Sequence, residues 1–242
     1  MIGWQNGGYK IDVVLVIDAT GSMGPIINQV KEKVLTIGDT IRKRAEREYG
    51  KPVDALRIRV VDFADFATEG KDAIRASDFF ELPREQAAFE AYVRSIRYES
   101  RGGDEPENAL EALWVAMNSD WVALPGVTRG RHAIILITDA FPLDLGERTG
   151  CEGYDADAYP QSLQEMAEAW NGEFDSDCKP TRLSRKHKRL LLYAPEGMDS
   201  MGHSWDRVAG WAYATHFLAA PGKGLADVDL EYDVLAELFR AY

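Results

Sequence analysis

The chain has 242 residues, 45% apolar and 28% charged, ordinary proportions for a globular protein that buries a sizeable core. Its 28 basic residues against 40 acidic ones leave a formal net charge of −12, which argues against nucleic acid or an anionic membrane as the main partner and fits a soluble protein that attracts cations. Cys151 and Cys178 are too few for a disulfide framework and read as free thiols. Residues 1–10 lack the basic-then-apolar pattern of a signal peptide, and no apolar run approaches the roughly 20 residues that span a bilayer, so the expected compartment is the cytoplasm.

The first element is an apolar run at 13–17, short and rich in β-branched residues, which fits a strand buried on both faces of a parallel sheet. It stops at Asp18, and Thr20, Gly21, Ser22 and Gly24 follow in a turn. Pro25 then opens a helix of about six turns, with Ile27, Val30, Val34, Ile37, Ile41 and Ala45 on one stripe. Leu56, Ile58 and Val60 alternate with Arg57 and Arg59 in a second strand that ends near Asp62 and Asp65, expected to be solvated loop carboxylates. A third strand is expected over 74–80, paired antiparallel with the second because the link is short.

Pro83 opens a helix carrying Ala87, Phe89, Tyr92, Val93 and Ile96. The loop 100–108, with Gly102-Gly103-Asp104, feeds a helix whose apolar face is Leu110, Leu113, Trp114 and Met117. A buried strand follows at 132–138 and ends in Thr138-Asp139. Residues 141–189 form a long insertion with one helix, started by Pro160 and stopped by Asn171-Gly172. Its basic stretch from Arg182 to Arg189 reads as a solvated face. Strands are expected at 190–194 and 211–219, a turn at 222–225 and a closing helix through Val234 and Leu238. Strands alternating with helices imply a doubly wound α/β sheet in a single domain, 1–242.

Asp18, Asp104 and Asp139 sit at strand or loop ends that such a topology brings together, and Thr20 and Ser22 add hydroxyls. All five offer hard oxygen, which suits Mg²⁺, Mn²⁺ or Ca²⁺ better than Zn²⁺. Asp18 to Ser22 could instead be a plain helix-capping turn. Asp104 could bind a metal directly, act through water, or cap its helix. Cys151, Cys178, His187 and His203 match no zinc-ligand spacing.

The segment Asp18-Ala-Thr20-Gly-Ser22 resembles the Asp-x-Ser/Thr-x-Ser signature of von Willebrand factor A (VWA) domains. The hairpin after the second strand, the Gly-Gly loop before a helix and the Ile-Thr-Asp139 ending fall in that family's order. The resemblance implies a Rossmann-like, mostly parallel sheet with helices on both faces and one antiparallel edge strand, over 74–80. It also implies a metal-ion-dependent adhesion site (MIDAS) of Asp18, Thr20, Ser22 and Asp139, with Asp104 where adhesive members usually have threonine. Gly-Gly-Asp-x-Pro-Glu and the Gly222-Lys-Gly-Leu225 turn are similar to bacterial stand-alone members, some linked to kinases, phosphatases or AAA-type ATPases in stress and conflict systems.

The expected function is therefore a non-enzymatic, metal-dependent protein-interaction module in which the cation binds an acidic residue of a partner. Two alternatives stand beside it. One is an aspartate-dependent phosphohydrolase like the haloacid dehalogenases, whose chemistry wants an acid two places after the nucleophile, where this chain has Thr20. The other is a metal-free scaffold subunit. The insertion at 141–189 borders the third metal loop and is the expected partner-specific surface.

Overall fold

The computed structural model describes residues 8–98, 106–122, 129–172, 183, 187–218 and 230–240. Strands β1 (Tyr9–Asp18), β2 (Val53–Phe63), β3 (Ile74–Ala76), β4 (Phe80–Leu82), β5 (Gly130–Ile137), β6 (Lys188–Ala194) and β7 (Ala214–Leu218) form one seven-stranded sheet. Its order is β3-β2-β1-β5-β6-β7, with β4 also on β2. The pairings β1–β2, β1–β5, β5–β6 and β6–β7 are parallel, and β3 and β4 run antiparallel to β2.

Strand β1 is buried on both faces, and its side chains alternate between two cores. Ile11, Val13, Leu15 and Ile17 face helices α1 (Gly24–Tyr49), α3 (Gln86–Ser95) and α7 (Leu230–Phe239). Val14 and Val16 face α4 (Ala109–Met117) and α5 (Leu163–Asn171). The expected stripe of α1, from Ile27 to Ala45, is wholly buried. Gly38 lets this helix approach the sheet: a Cβ there would lie 2.6 Å from Leu82 Cδ1. Gly50, at φ 59°, ends the helix with its N–H on Glu46 O, and Lys51 N returns to Ala45 O. Among the described residues no helix is long and apolar enough to cross a membrane.

The expected single strand over 74–80 is two strands. Three residues, Ser77 to Phe79, stand opposite two of β2, because Val61 pairs with Ala76 and Ile58 with Phe80. Ser77 Oγ takes the N–H of Val60 at 3.0 Å, so a side chain replaces one rung of the ladder and a bulge results. Helix α3 starts at Gln86 rather than Pro83, and Ala87 is exposed while Phe89, Val93 and Ile96 are buried. The turn at 222–225 lies outside the described residues.

Two residues of the expected solvated basic face are buried instead. Lys188 and Arg189 open β6, where the C-terminal ends of α5 and α7 arrive with unpaired carbonyls. Lys188 Nζ donates to Trp170 O and lies 4.6 Å over the Trp170 ring. The Arg189 guanidinium donates to Glu237 O at 3.0 Å, Lys188 O at 2.7 Å and Arg240 O at 3.3 Å. A cation suits a helix C-terminus, and here it also satisfies carbonyls that burial would otherwise leave costly. Arg189→Leu should therefore lower stability by about 2–4 kcal/mol. Lys43→Ala, which removes an ion pair to Asp39 in which both side chains are mostly exposed, should leave the urea midpoint unchanged. Equal midpoints for the two variants would contradict this role for Arg189.

Candidate functional site

Strand β1 is flanked by β2 on one side and β5 on the other, so the chain's winding reverses between β1 and β5. The two strands stay paired to Ile17 and Ile137, but the connections that follow them lead to helices on opposite faces, α1 and α5, and such a point leaves a crevice that ligands commonly occupy. Ala19 N still reaches Phe63 O at 2.8 Å, and Thr138 N reaches Tyr193 O at 3.0 Å, so both strands are held up to the edge of the crevice. Each loop then begins from a fixed point.

Asp18, Thr20, Ser22 and Asp139 come together at this edge. Asp18 Oδ1 accepts the N–H of Thr20 at 2.9 Å and its hydroxyl at 2.7 Å. Ser22 Oγ donates to Asp139 Oδ1 at 2.9 Å and lies 2.9 Å from Thr20 Oγ1. The chain of oxygens Asp18–Thr20–Ser22–Asp139 thus crosses from the first loop to the loop after β5. Asp18, Thr20 and Asp139 are buried, and Ser22 is exposed at the mouth. Asp104 lies outside the described residues.

The plain capping role does not account for the turn. No side-chain cap closes the N-terminus of the 3₁₀ turn Gly21–Met23 or of α1. The oxygens of Asp18 are taken by Thr20 and Thr138, and Ser22 points to Asp139. Thr138 was missed in the sequence, although it precedes Asp139 directly: its hydroxyl donates to Asp18 Oδ2 at 2.6 Å. That bond joins the two loops beneath the mouth. Trp205 Nε1 anchors the same turn from below, donating to Ala140 O at 3.0 Å.

Among the described residues neither carboxylate has a basic partner. Burial, helped by the nearby charge of Asp139 and opposed by the bonds from Thr138 and Thr20, leaves the Asp18 carboxyl raised to about 6. Burial likewise raises Asp139, against the bond from Ser22. Two acids and two hydroxyls form a set of hard oxygens that fits Mg²⁺, Mn²⁺ or Ca²⁺.

Asp62 and Asp65 are not solvated loop carboxylates. Asp62 is buried, paired with Arg75 at 2.8 Å and touched by Tyr92 OH at 3.2 Å. Asp65 is buried, caps the short helix α2 (Phe66–Glu69) through Ala67 N, and receives Arg148 through two bonds of 2.5 and 2.6 Å. Arg148 belongs to the insertion, whose first part is tied down. Glu107 N and O bond Phe141 O and Leu143 N at 3.0 and 2.9 Å, and Trp114 Nε1 reaches Ala158 O at 3.0 Å. Tyr154 OH donates to Glu111 Oε1, which also faces Asn108 through its other oxygen. A further cluster lies on this rim: one ligand atom each from Asp144, Glu147 and His203, all within 4.8 Å of one another.

No family model matches the sequence, and no curated protein is similar to it in sequence. Solved structures are similar in shape. The pilus adhesin SpaC from Lactobacillus rhamnosus GG superposes with a TM-score of 0.58 at 13% identity, over 97% of this chain and 32% of that one. The PilB minor pilin from Streptococcus sanguinis gives 0.50 at 14% identity, over 97% of this chain and 63% of that one. The chain thus spans about a third of SpaC and less than two thirds of PilB. The fold is VWA-like. Identities this low carry the architecture and nothing of the ligand.

A group whose folded pKa is raised contributes its full stability below the unfolded value, here near 3.8, and loses it as pH climbs through the folded value. In protein freed of divalent ions by chelation, Asp18 should therefore withdraw stability from pH 4 to pH 6, while the buried His132, lowered to about 4, adds stability over the same window. Asp18→Asn, which cannot ionise, should isolate the first contribution: its stability should rise relative to wild type as pH goes from 4 to 6. Urea midpoints at pH 4, 5 and 6 measure it, and parallel curves for the two proteins would count against burial of an ionising Asp18.

Proposed function

We propose that this chain is a metal-dependent protein-interaction module. A divalent cation, Mg²⁺ before Mn²⁺ or Ca²⁺, sits at the mouth formed by Thr20, Ser22 and Asp139, with Asp18 beneath. The observation that carries this is the pair of buried carboxyls, linked by two hydroxyls, with no basic partner among the described residues. A bound dication supplies the missing positive charge. It also supplies a coordination position that an acidic side chain of a partner protein completes. The chain's own residues do the rest: Thr138 and Thr20 fix the orientation of Asp18, and Ser22 stands exposed where a partner arrives.

The architecture shared with proteins named as a pilus adhesin and a minor pilin supports a binding role over a catalytic one. An aspartate nucleophile is a poorer fit, because both oxygens of Asp18 accept hydroxyl hydrogen bonds and position 20 offers no acid. Asp104 enters as a further ligand candidate on sequence grounds. The partner-facing surface is proposed to be the insertion at 141–189 beside the mouth.

Saturating Mg²⁺, at about 100 times its dissociation constant, should raise the melting temperature by roughly 5–10 °C. Asp18→Ala and Asp139→Ala should abolish the rise, whatever they do to the starting temperature. If Mg²⁺, Mn²⁺ and Ca²⁺ all leave the wild type unmoved, the metal-free scaffold is the correct description. Metal-dependent hydrolysis of a generic phosphate ester, lost in Asp18→Asn, would instead establish the phosphohydrolase.

A further inference from the structure

The loops after β5 and β6 meet at a second cluster that the Mg²⁺ site does not use. Asp144 and Glu147 come from the first loop and His203 from the second, with one ligand atom of each inside a 4.8 Å span. Tetrahedral ligands about 2.0–2.2 Å from a common ion lie roughly 3.3–3.6 Å apart, so the side chains would have to close by about 1 Å to share a single cation. His203 is buried, whereas Asp144 and Glu147 are exposed, so the imidazole forms the floor and water has access from above.

The imidazole is oriented from outside the trio. Asp199 Oδ2 lies 2.7 Å from His203 Nδ1, and Asp199 Oδ1 accepts the backbone N–H groups of His203 and Met201, both at 2.9 Å. A carboxylate fixed this way holds the Nδ1 proton and turns Nε2 toward Glu147, 3.1 Å from Oε1. A carboxylate behind a ring nitrogen is the usual support of a metal-bound histidine. Charge points the same way. Three carboxylates surround one imidazole, and among the described residues Asp144 has no basic partner. Arg148, next in sequence to Glu147, is spent on Asp65.

We propose that Asp144, Glu147 and His203 Nε2 bind a transition-metal dication of the zinc type, with a water in the remaining position. Imidazole with two carboxylates suits Zn²⁺ better than Mg²⁺, which prefers oxygen alone. The ion would staple the loop that begins at Asp139 to the loop that carries Trp205. It would thereby stiffen one wall of the mouth described above, and it does not depend on that mouth holding Mg²⁺.

The test uses the full chain carrying Asp139→Asn, which weakens the other site, after removal of metals by chelation. Titration with Zn²⁺, followed by calorimetry, should show one equivalent bound. Asp144→Asn and Glu147→Gln, both exposed and safe for folding, should each weaken binding at least tenfold, and Asp199→Asn should weaken it roughly 10–100-fold through the lost orientation of the ring. Co²⁺ in place of Zn²⁺ should give the visible absorption of a four-coordinate site, lost in Glu147→Gln. Zn²⁺ affinity unchanged in both Asp144→Asn and Glu147→Gln, or no Zn²⁺ binding by the parent, would overturn the proposal and leave a His203 hydrogen-bonded between Glu147 and Asp199 as the whole of the cluster.

Discussion

Two buried carboxyls at the switch point of the sheet, without a basic partner among the described residues, are the constraint from which the rest of the structure follows. Asp18 and Asp139 are both buried, both raised in pKa by that burial, and joined through the hydroxyls of Thr20 and Ser22. Holding two acids this close is costly unless something positive joins them. The surrounding parts keep them there. Strand pairing continues to Ala19 and Thr138, Thr138 reaches across to Asp18, and Trp205 pins the turn after Asp139. Each of these bonds fixes a position without contributing positive charge.

The two ends of the sheet show opposite electrostatic habits. Where strands begin, basic side chains enter the interior to meet helix C-termini: Lys188 at α5, Arg189 at α7, and Arg131 donating to Leu238 O. Where strands end, the buried ionisable groups among the described residues are acids apart from His203, and arginine enters tied to a particular partner, as Arg148 is to Asp65 and Arg75 to Asp62. A chain with net charge −12 thus keeps part of its scarce basic charge inside, as structural caps, and leaves acidic oxygen at the mouth. This division fits a rim that recruits cations.

The sequence was legible where one local rule dominates. The β-branched run of β1, the stripe of α1 and the Asp18–Ser22 turn each follow from short-range pattern, and their meeting with Asp139 follows from the winding order. It was less legible where a long-range contact overrides the local pattern. Arg189 looks like one charge in a solvated run until α7 is folded back onto β6. Asp62 and Asp65 look like loop carboxylates until Arg75 and Arg148 arrive from 13 and 83 residues away. The break at Ser77 depends on a side chain imitating a backbone acceptor, which hydropathy does not register. His203 carried no metal-ligand spacing because its neighbours Asp144 and Glu147 belong to another loop.

Diffraction from crystals grown in Mn²⁺, recorded where manganese scatters anomalously, tests the central claim most directly. A cation held by this set of oxygens predicts an anomalous peak at the mouth, within coordination distance of Ser22 Oγ and on the same side as Asp139, and its disappearance in Asp139→Ala. Clear density for the Asp18–Thr20–Ser22–Asp139 chain with no such peak, at Mn²⁺ concentrations that fill other acidic sites, would contradict it.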